Sequence, residues 1–499
     1  MKKKLIKNGV LNISFGIILQ LLSLIFGLVI PRIYIINYGS EVNGLLATIN
    51  QVFAYIGIVE SGVGVTALHL FYGSIASSDK TLTSQIFKTA RIYYRKSGLY
   101  FLIIVSLSAI IFPFILNTEI NKLSIFTVFV LNSITGLQNF FILGELRMLL
   151  QAEGKNYVNL LANTVALIVS NVVRLILLLM NVDFVIVHSV YSIFSLTQSL
   201  ILVNYWRKKY TWIDKEVEPN FGLFSQKNHA LVHQISSLIF SNTDIIILSI
   251  FTNLKVVSVY ALYSLVYNII RTLIGNISTG LGYRLGQEFS ANKAKFIQMF
   301  NLYDFYFSAF IFATLTVTHI YILPFVKIYT QGATDIQYID ALLPYFFSGI
   351  YILLLGRTTL RQVIDLSGDF KNTKKQSILE SLINLITSIV LVRYFGVYGV
   401  LIGTIVALIY RTNAIILYVN HTIIKRTSLI SYIKWIANII TFGLLVYLNP
   451  INQMIDFSFI VFMQEALVML VKALIAFFTL NSVLYVLARN YTARTLKTG

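Results

Sequence analysis

Five arginines and two carboxylates stand inside or at the ends of long apolar runs: Arg32, Arg174, Arg271, Arg357 and Arg361, and Glu60 and Asp244. An ionised side chain at the centre of a bilayer costs at least about 2.5–3.5 kcal/mol, so each needs a partner or a wet cavity. A guanidinium stays charged and forks onto phosphate oxygens in bidentate fashion. The five arginines are therefore the candidate contacts for a bound anion. Arg271, at the middle of its run, is the principal one. Its structural alternative is an ion pair that fixes helix packing, with Asp244 as the partner. Arg32 follows Pro31, which is expected to end the first helix, and snorkelling to the interface is its alternative role. Arg174 has Asn171 one turn away and could face a cavity or serve packing. Arg357 and Arg361 are four apart on one helical face, where phospholipid anchoring competes with substrate contact.

Asp244 and Glu60 are carboxylates able to take up a proton or a sodium ion, which makes them candidates for ion coupling. The alternatives are pairing with a neighbouring helix for Asp244 and a shallow interfacial position for Glu60. Arg411, Glu465 and Lys472 are read as structural. His229 and His233 have zinc-like spacing, but no Glu follows the first and no third ligand is evident. Tyr55, Tyr263 and Tyr267 are candidates to line a cavity. The 499 residues contain no cysteine, no Walker A sequence and no HExxH, so neither a metal nor an organic cofactor is expected.

The elements that must position these groups are membrane helices. Of the chain, 57% is apolar and only 12% charged, against about 25% charged in an ordinary soluble domain. Mean hydropathy is +0.77. Windows of about 20 apolar residues, the length that crosses a bilayer, recur about fourteen times. The second covers 44–70, the third 98–116 and the seventh 230–251. The first follows Lys2, Lys3, Lys4 and Lys7 in the manner of a signal peptide, but its apolar run is too long for one and is read as a retained span.

The net charge of +19 would suggest nucleic acid in a soluble protein. Here it is a matter of topology. With the N-terminus inside, the outside loops carry only Arg32, Lys122, Lys255, Lys327 and Arg393 of the 39 Lys and Arg. That asymmetry predicts an even number of spans and both termini in the cytoplasm. Loops are short throughout, which leaves no room for the soluble domain of a membrane glycosyltransferase or polymerase. Two inner segments are amphipathic: 81–96 suits a helix lying on the anionic inner leaflet, and the linker 205–229 is similar.

A repeat is also legible. Ser61-Gly62-Val63-Gly64 reappears as Thr279-Gly280-Leu281-Gly282, with Phe71 matching Phe289. Arg147 followed by Gly154 is echoed by Arg361 followed by Gly368. The expected fold is an all-α integral membrane protein of about fourteen transmembrane helices, two six-helix lobes plus two C-terminal helices. The expected organisation is an N-terminal lobe over 1–204, the linker 205–229, a second lobe over 230–425, and two extra spans with a tail over 426–499. Parallel lobes with a cavity between them suit alternating access.

The stretch Ile30-Pro31-Arg32-Ile33 through Tyr38-Gly39-Ser40-Glu41-Val42-Asn43-Gly44-Leu45 resembles the opening motif of polysaccharide exporters. So do Asn242-Thr243-Asp244 with Val257-Ser258-Val259-Tyr260, and Phe395-Gly396-Val397-Tyr398-Gly399-Val400-Leu401-Ile402-Gly403-Thr404. These pieces occur in order over residues 8–425. They resemble repeat-unit flippases of the Wzx type, in the multidrug/oligosaccharidyl-lipid/polysaccharide exporter superfamily. The resemblance implies a transporter of a bacterial cytoplasmic membrane, not an enzyme. Its substrate would be a polyprenyl-pyrophosphate-linked oligosaccharide, moved from the inner to the outer leaflet for cell-surface polysaccharide biosynthesis. Its partners would be membrane lipids and polysaccharide assembly proteins, the polymerase among them, and no nucleic acid. Protons or sodium, taken up at Asp244 or Glu60, or the membrane potential would drive it. The count of fourteen spans is nearer to lipid II flippases than to the twelve of most Wzx proteins. A drug or cation antiporter of the same superfamily is the rival, and it would need an acidic, aromatic pocket.

Overall fold

The computed structural model describes residues 2–214, 216–224, 242–450 and 459–498; the side chains of 2–6, 58–61, 459 and 491–498 lie outside the description. His229 and His233 fall outside the described residues altogether, as does the side chain of Glu60.

Among the described residues the protein is helical, without strands. Twelve helices among the described residues are long and apolar enough to cross a membrane. The other two spans expected from sequence fall at shorter apolar helices, Gly62–Ala76 and Asn242–Phe251. The first of these follows a helix break at Gly57. The second abuts residues that are not described.

Two compact units divide the chain, Met1–Ser258 and Val259–Gly499. The first begins with α1 (Lys2–Tyr38), α2 (Ser40–Ile56) and α3 (Ile58–Ala76). It continues with α4 (Lys80–Ile115), α5 (Lys122–Gln138), α6 (Gly144–Ala152) and α7 (Asn156–Leu179). After α8 (Phe184–Ser195) and α9 (Thr197–Lys209) come α10 (Asn242–Phe251) and the start of α11 (Leu254–Ala291). α1 packs along α7, and α4 lies against both α3 and α5. Val10, Ile13, Ile17, Leu21 and Ile25 of α1 are exposed. An apolar stripe of that length needs hydrocarbon beside it.

Pro31 does not end the first helix. α1 runs through it to Tyr38 and stops at Gly39, whose φ of 85° only glycine adopts without strain. Membrane helices tolerate proline, because the packed surroundings absorb the freed backbone group. Arg32 therefore sits within α1. Nor does 81–96 lie on the leaflet as a separate helix: it is the first half of α4. Its apolar face, with Ile86, Phe87 and Ala90 buried, is covered by the linker. Trp206 stacks on Phe87 at 6.1 Å, Phe221 and Phe224 pack on Tyr93, and the backbone amides of Asp214 and Asn220 donate to Ser84 and Thr89. A protein partner in the same chain has taken the face that lipid was expected to cover.

The second unit follows with α12 (Lys293–Tyr329), α13 (Leu343–Gly356), α14 (Thr358–Ser367), α15 (Phe370–Phe395), α16 (Val397–Tyr418), α17 (Leu429–Leu448) and α18 (Phe459–Thr498). α12 is its centre, touching α13, α14, α17 and α18. The echo between Gly154 and Gly368 has a structural counterpart. Each follows a short helix, α6 or α14, and turns the chain with φ of 70° and 68° respectively.

Candidate substrate site

In the second unit, α11 and the α13–α14 pair run side by side. Their register is set by Tyr267 with Ser348 at 2.7 Å, Tyr351 donating to Asn268 at 3.0 Å, and Ser278 donating to Gln362 at 3.0 Å. Gly282 permits the closest approach, since a Cβ there would stand 1.9 Å from the Gln362 side chain. Arg271 lies on α11 between these contacts, and its side chain is exposed.

Arg357 occupies the break between α13 and α14. Its guanidinium is buried and donates to Glu380 of α15 at 2.8 Å, while Arg411 of α16 holds the other carboxylate oxygen at 3.4 Å. Arg411 also donates to Gln376 at 2.8 Å. Arg361, one turn beyond Arg357, is exposed. Both Arg361 and Arg271 lie within electrostatic reach of Arg357. Two guanidiniums thus hold the Glu380 carboxylate, and two more lie within electrostatic reach of Arg357. Arg271 and Arg361 make no ion pair among the described residues, and the buried Nη1 of Arg357 has no hydrogen-bond partner there. Such a surplus of positive charge in a membrane segment is costly and calls for an anion.

Of the arginines singled out in sequence, the structure brings Arg271, Arg357 and Arg361 together. Arg174 and Arg32 belong to the first unit. Arg174 donates to the Tyr34 hydroxyl at 3.2 Å and lies between the rings of Tyr34 and Tyr191, at 4.8 and 4.6 Å. His188 beside it is 3% exposed, and neither ring nitrogen has a hydrogen bond among the described residues. Arg32 is half-buried on α1. Asp244 is buried on α10 next to Thr243, which bonds the Tyr55 hydroxyl. Tyr263 and Tyr267 are not cavity residues. Both are fully buried against Phe347 at 5.6 Å, with hydroxyls donated to Tyr338 and bonded to Ser348.

Sequence reading missed three carboxylates. Glu380 anchors the arginine cluster. Asp304 of α12, fully buried, takes Lys434 at 2.5 Å and Arg426 at 3.0 Å. Glu145 of α6 holds Arg91 of α4 at 2.7 Å. The available signal was a carboxylate set in an apolar run, which must find a cation.

No family model matches the chain, and no curated protein matches it in sequence. Solved structures do. The lipid II flippase MurJ in an inward closed conformation superposes with a TM-score of 0.68 at 13% identity, covering 94% of this chain and 98% of that one. The chain shares the fold of that structure. An inward-facing multidrug resistance MATE family transporter of the MOP superfamily gives a TM-score of 0.62 at 16% identity, covering 82% and 96%. A MATE protein in a bent conformation gives 0.53 at 16%, covering 86% and 97%. These structural neighbours are transporters and a flippase, and this chain shares their all-helical multi-pass architecture.

Proposed function

We propose that the protein is a flippase for polyprenyl-pyrophosphate-linked oligosaccharide in a bacterial cytoplasmic membrane, carrying its substrate from the inner to the outer leaflet by alternating access. The observation that supports this most is the arginine cluster of the second unit. A diphosphate headgroup supplies negative charge beside the exposed Arg271 and Arg361, of which only Arg361 has a carboxylate, Asp365, within electrostatic reach, and bidentate guanidinium contacts suit its oxygens. Arg357 and Arg411, fixed by Glu380, act from beneath as a positive floor. The exposed Arg271 is the first contact. Arg174 and Arg32 of the first unit are further candidate contacts for an anionic substrate, and Asp244 and Glu60 are the groups that would take a coupling proton or sodium ion. The MOP fold supplies the alternating-access framework. MurJ, which covers more of this chain than the MATE structures do, supports a lipid-linked substrate.

An antiporter of organic cations is the second reading, favoured by the likeness to MATE folds. A surplus of guanidinium repels such a substrate, which places it behind the first. The deciding experiment is Arg271→Glu in cells that depend on the protein for surface polysaccharide. Translocation should cease, with lipid-linked oligosaccharide accumulating on the inner leaflet while the protein remains in the membrane at normal abundance. Normal export by Arg271→Glu overturns the headgroup role.

A further inference from the structure

A second cationic site lies in the first unit, away from the cluster just described. A cavity of about 160 Å³ opens between α4, α6 and α9, lined by Phe87, Arg91, Leu146, Trp206 and Arg207. That is well beyond the space one water needs. Its walls are set by sequence-distant packing. Phe87 and Trp206 stack nearly parallel, at 6°, and the Arg91 guanidinium lies over both rings, 5.1 Å from Phe87 and 5.4 Å from Trp206.

The Arg91 Nε is committed to the buried Glu145 at 2.7 Å, which fixes the plane of the guanidinium. Its two terminal nitrogens make no hydrogen bond among the described residues, so a rigid fork is left pointing away from its anchor. Arg207 is exposed on the cavity wall, and Arg95 lies within electrostatic reach of Glu145. Three guanidiniums against one carboxylate leave a net positive site. Its depth is also defined. Arg91, Arg95 and Lys96 precede the apolar part of α4, and Trp206 to Lys209 close α9. Aromatic and basic residues in that combination occupy the headgroup layer, on the side where basic residues gather.

We propose that this cavity binds the phosphate of an inner-leaflet lipid, with Arg91 and Arg207 gripping its oxygens and the Phe87–Trp206 pair packing against the ester chain. The chemistry recognised is a lipid phosphate mono- or diester, which an anionic phospholipid or a polyprenyl phosphate could each supply. The site does not depend on the arginine cluster of the second unit.

Trp206 is a built-in reporter, since the chain has three tryptophans. In a W212F/W435F protein reconstituted into phosphatidylcholine vesicles, quenching of Trp206 is followed as lipid brominated high on one acyl chain is added. Brominated phosphatidylglycerol should quench more strongly than brominated phosphatidylcholine at the same mole fraction. Arg207→Gln, a change at an exposed position, should raise the phosphatidylglycerol needed for half-maximal quenching about tenfold. The double variant R91Q/E145Q, which removes the buried pair as a unit, should abolish the preference. Unbrominated polyprenyl monophosphate distinguishes the sources: relief of quenching at low mole fraction identifies the polyprenyl lipid, and no relief identifies the phospholipid. Equal quenching by the two brominated lipids, or an unchanged preference in Arg207→Gln, overturns the proposal.

Discussion

Asp304→Asn keeps the shape of the side chain and removes its charge, at a position where two cations share the carboxylate. Asp304 is fully buried on α12. One oxygen accepts from Lys434 at 2.5 Å and from Thr359 at 2.6 Å; the other accepts from Arg426 at 3.0 Å. The side chains of Lys434 and Arg426 are 2% and 7% exposed, so water cannot replace the lost anion. Removing one partner of a buried ion pair costs about 3–5 kcal/mol, because an uncompensated charge remains. At about 2–4 °C per kcal/mol for a unit of this size, the midpoint of thermal unfolding should fall by roughly 6–20 °C. The assay is heating of the detergent-purified protein, followed by the monodisperse fraction on size exclusion and by the fluorescence of Trp435, next to Lys434 in sequence. The double variant D304N/K434Q should recover much of the loss. Arg426 then still donates to Asn420 and Asn301, both at 2.6 Å, and to Ser431 at 3.2 Å. A coupling energy of about 2 kcal/mol between the two sites is expected in the double-mutant cycle. If D304N unfolds within about 1 kcal/mol of the parent, or if K434Q brings no recovery, α17 is not held to α12 by this charge triad.

Glu380→Gln leaves Arg357 and Arg411 both buried and uncompensated, so it should cost about 3–5 kcal/mol in the same unfolding assay; an unchanged midpoint would exclude Glu380 as the anchor of the cluster. Gly44→Ala drives a Cβ to 1.9 Å from the backbone oxygen of Leu254. It should destabilise the first unit by about 1–3 kcal/mol, measured by the yield of monodisperse protein after heating. Tyr210, beyond the end of α9, has its phenol held above the ordinary 10 by burial and by its hydrogen bond to Glu153. The native state keeps that proton when the unfolded chain loses it. Stability should therefore be level below pH 10 and fall above it, and Tyr210→Phe should flatten the fall across about pH 9 to about pH 12 in parallel unfolding curves.

Much of the architecture was legible because membrane insertion is read from local composition. Twelve of the expected spans coincide with long apolar helices, and the repeated glycines at 154 and 368 both turn the chain after a short helix. Pro31 misled because a proline that ends helices in water is tolerated where neighbouring helices surround the backbone. Arg271 was conspicuous as a lone charge in an apolar run, and Arg361 by its spacing of four from Arg357. Glu380 and Asp304 were passed over because each stands far in sequence from its cations.

The sequence by itself determined the solvent this protein lives in and which side chains would be expensive there, since hydrophobic cost sums over neighbouring residues. Only the tertiary structure decided how those costs are met. Arg357 is given to Glu380 while Arg271 and Arg361 are left exposed, and the amphipathic half of α4 is closed by the linker in place of lipid. Pairing of charges depends on distances of a few ångströms between helices far apart along the chain. Residue type and local spacing carry no record of them.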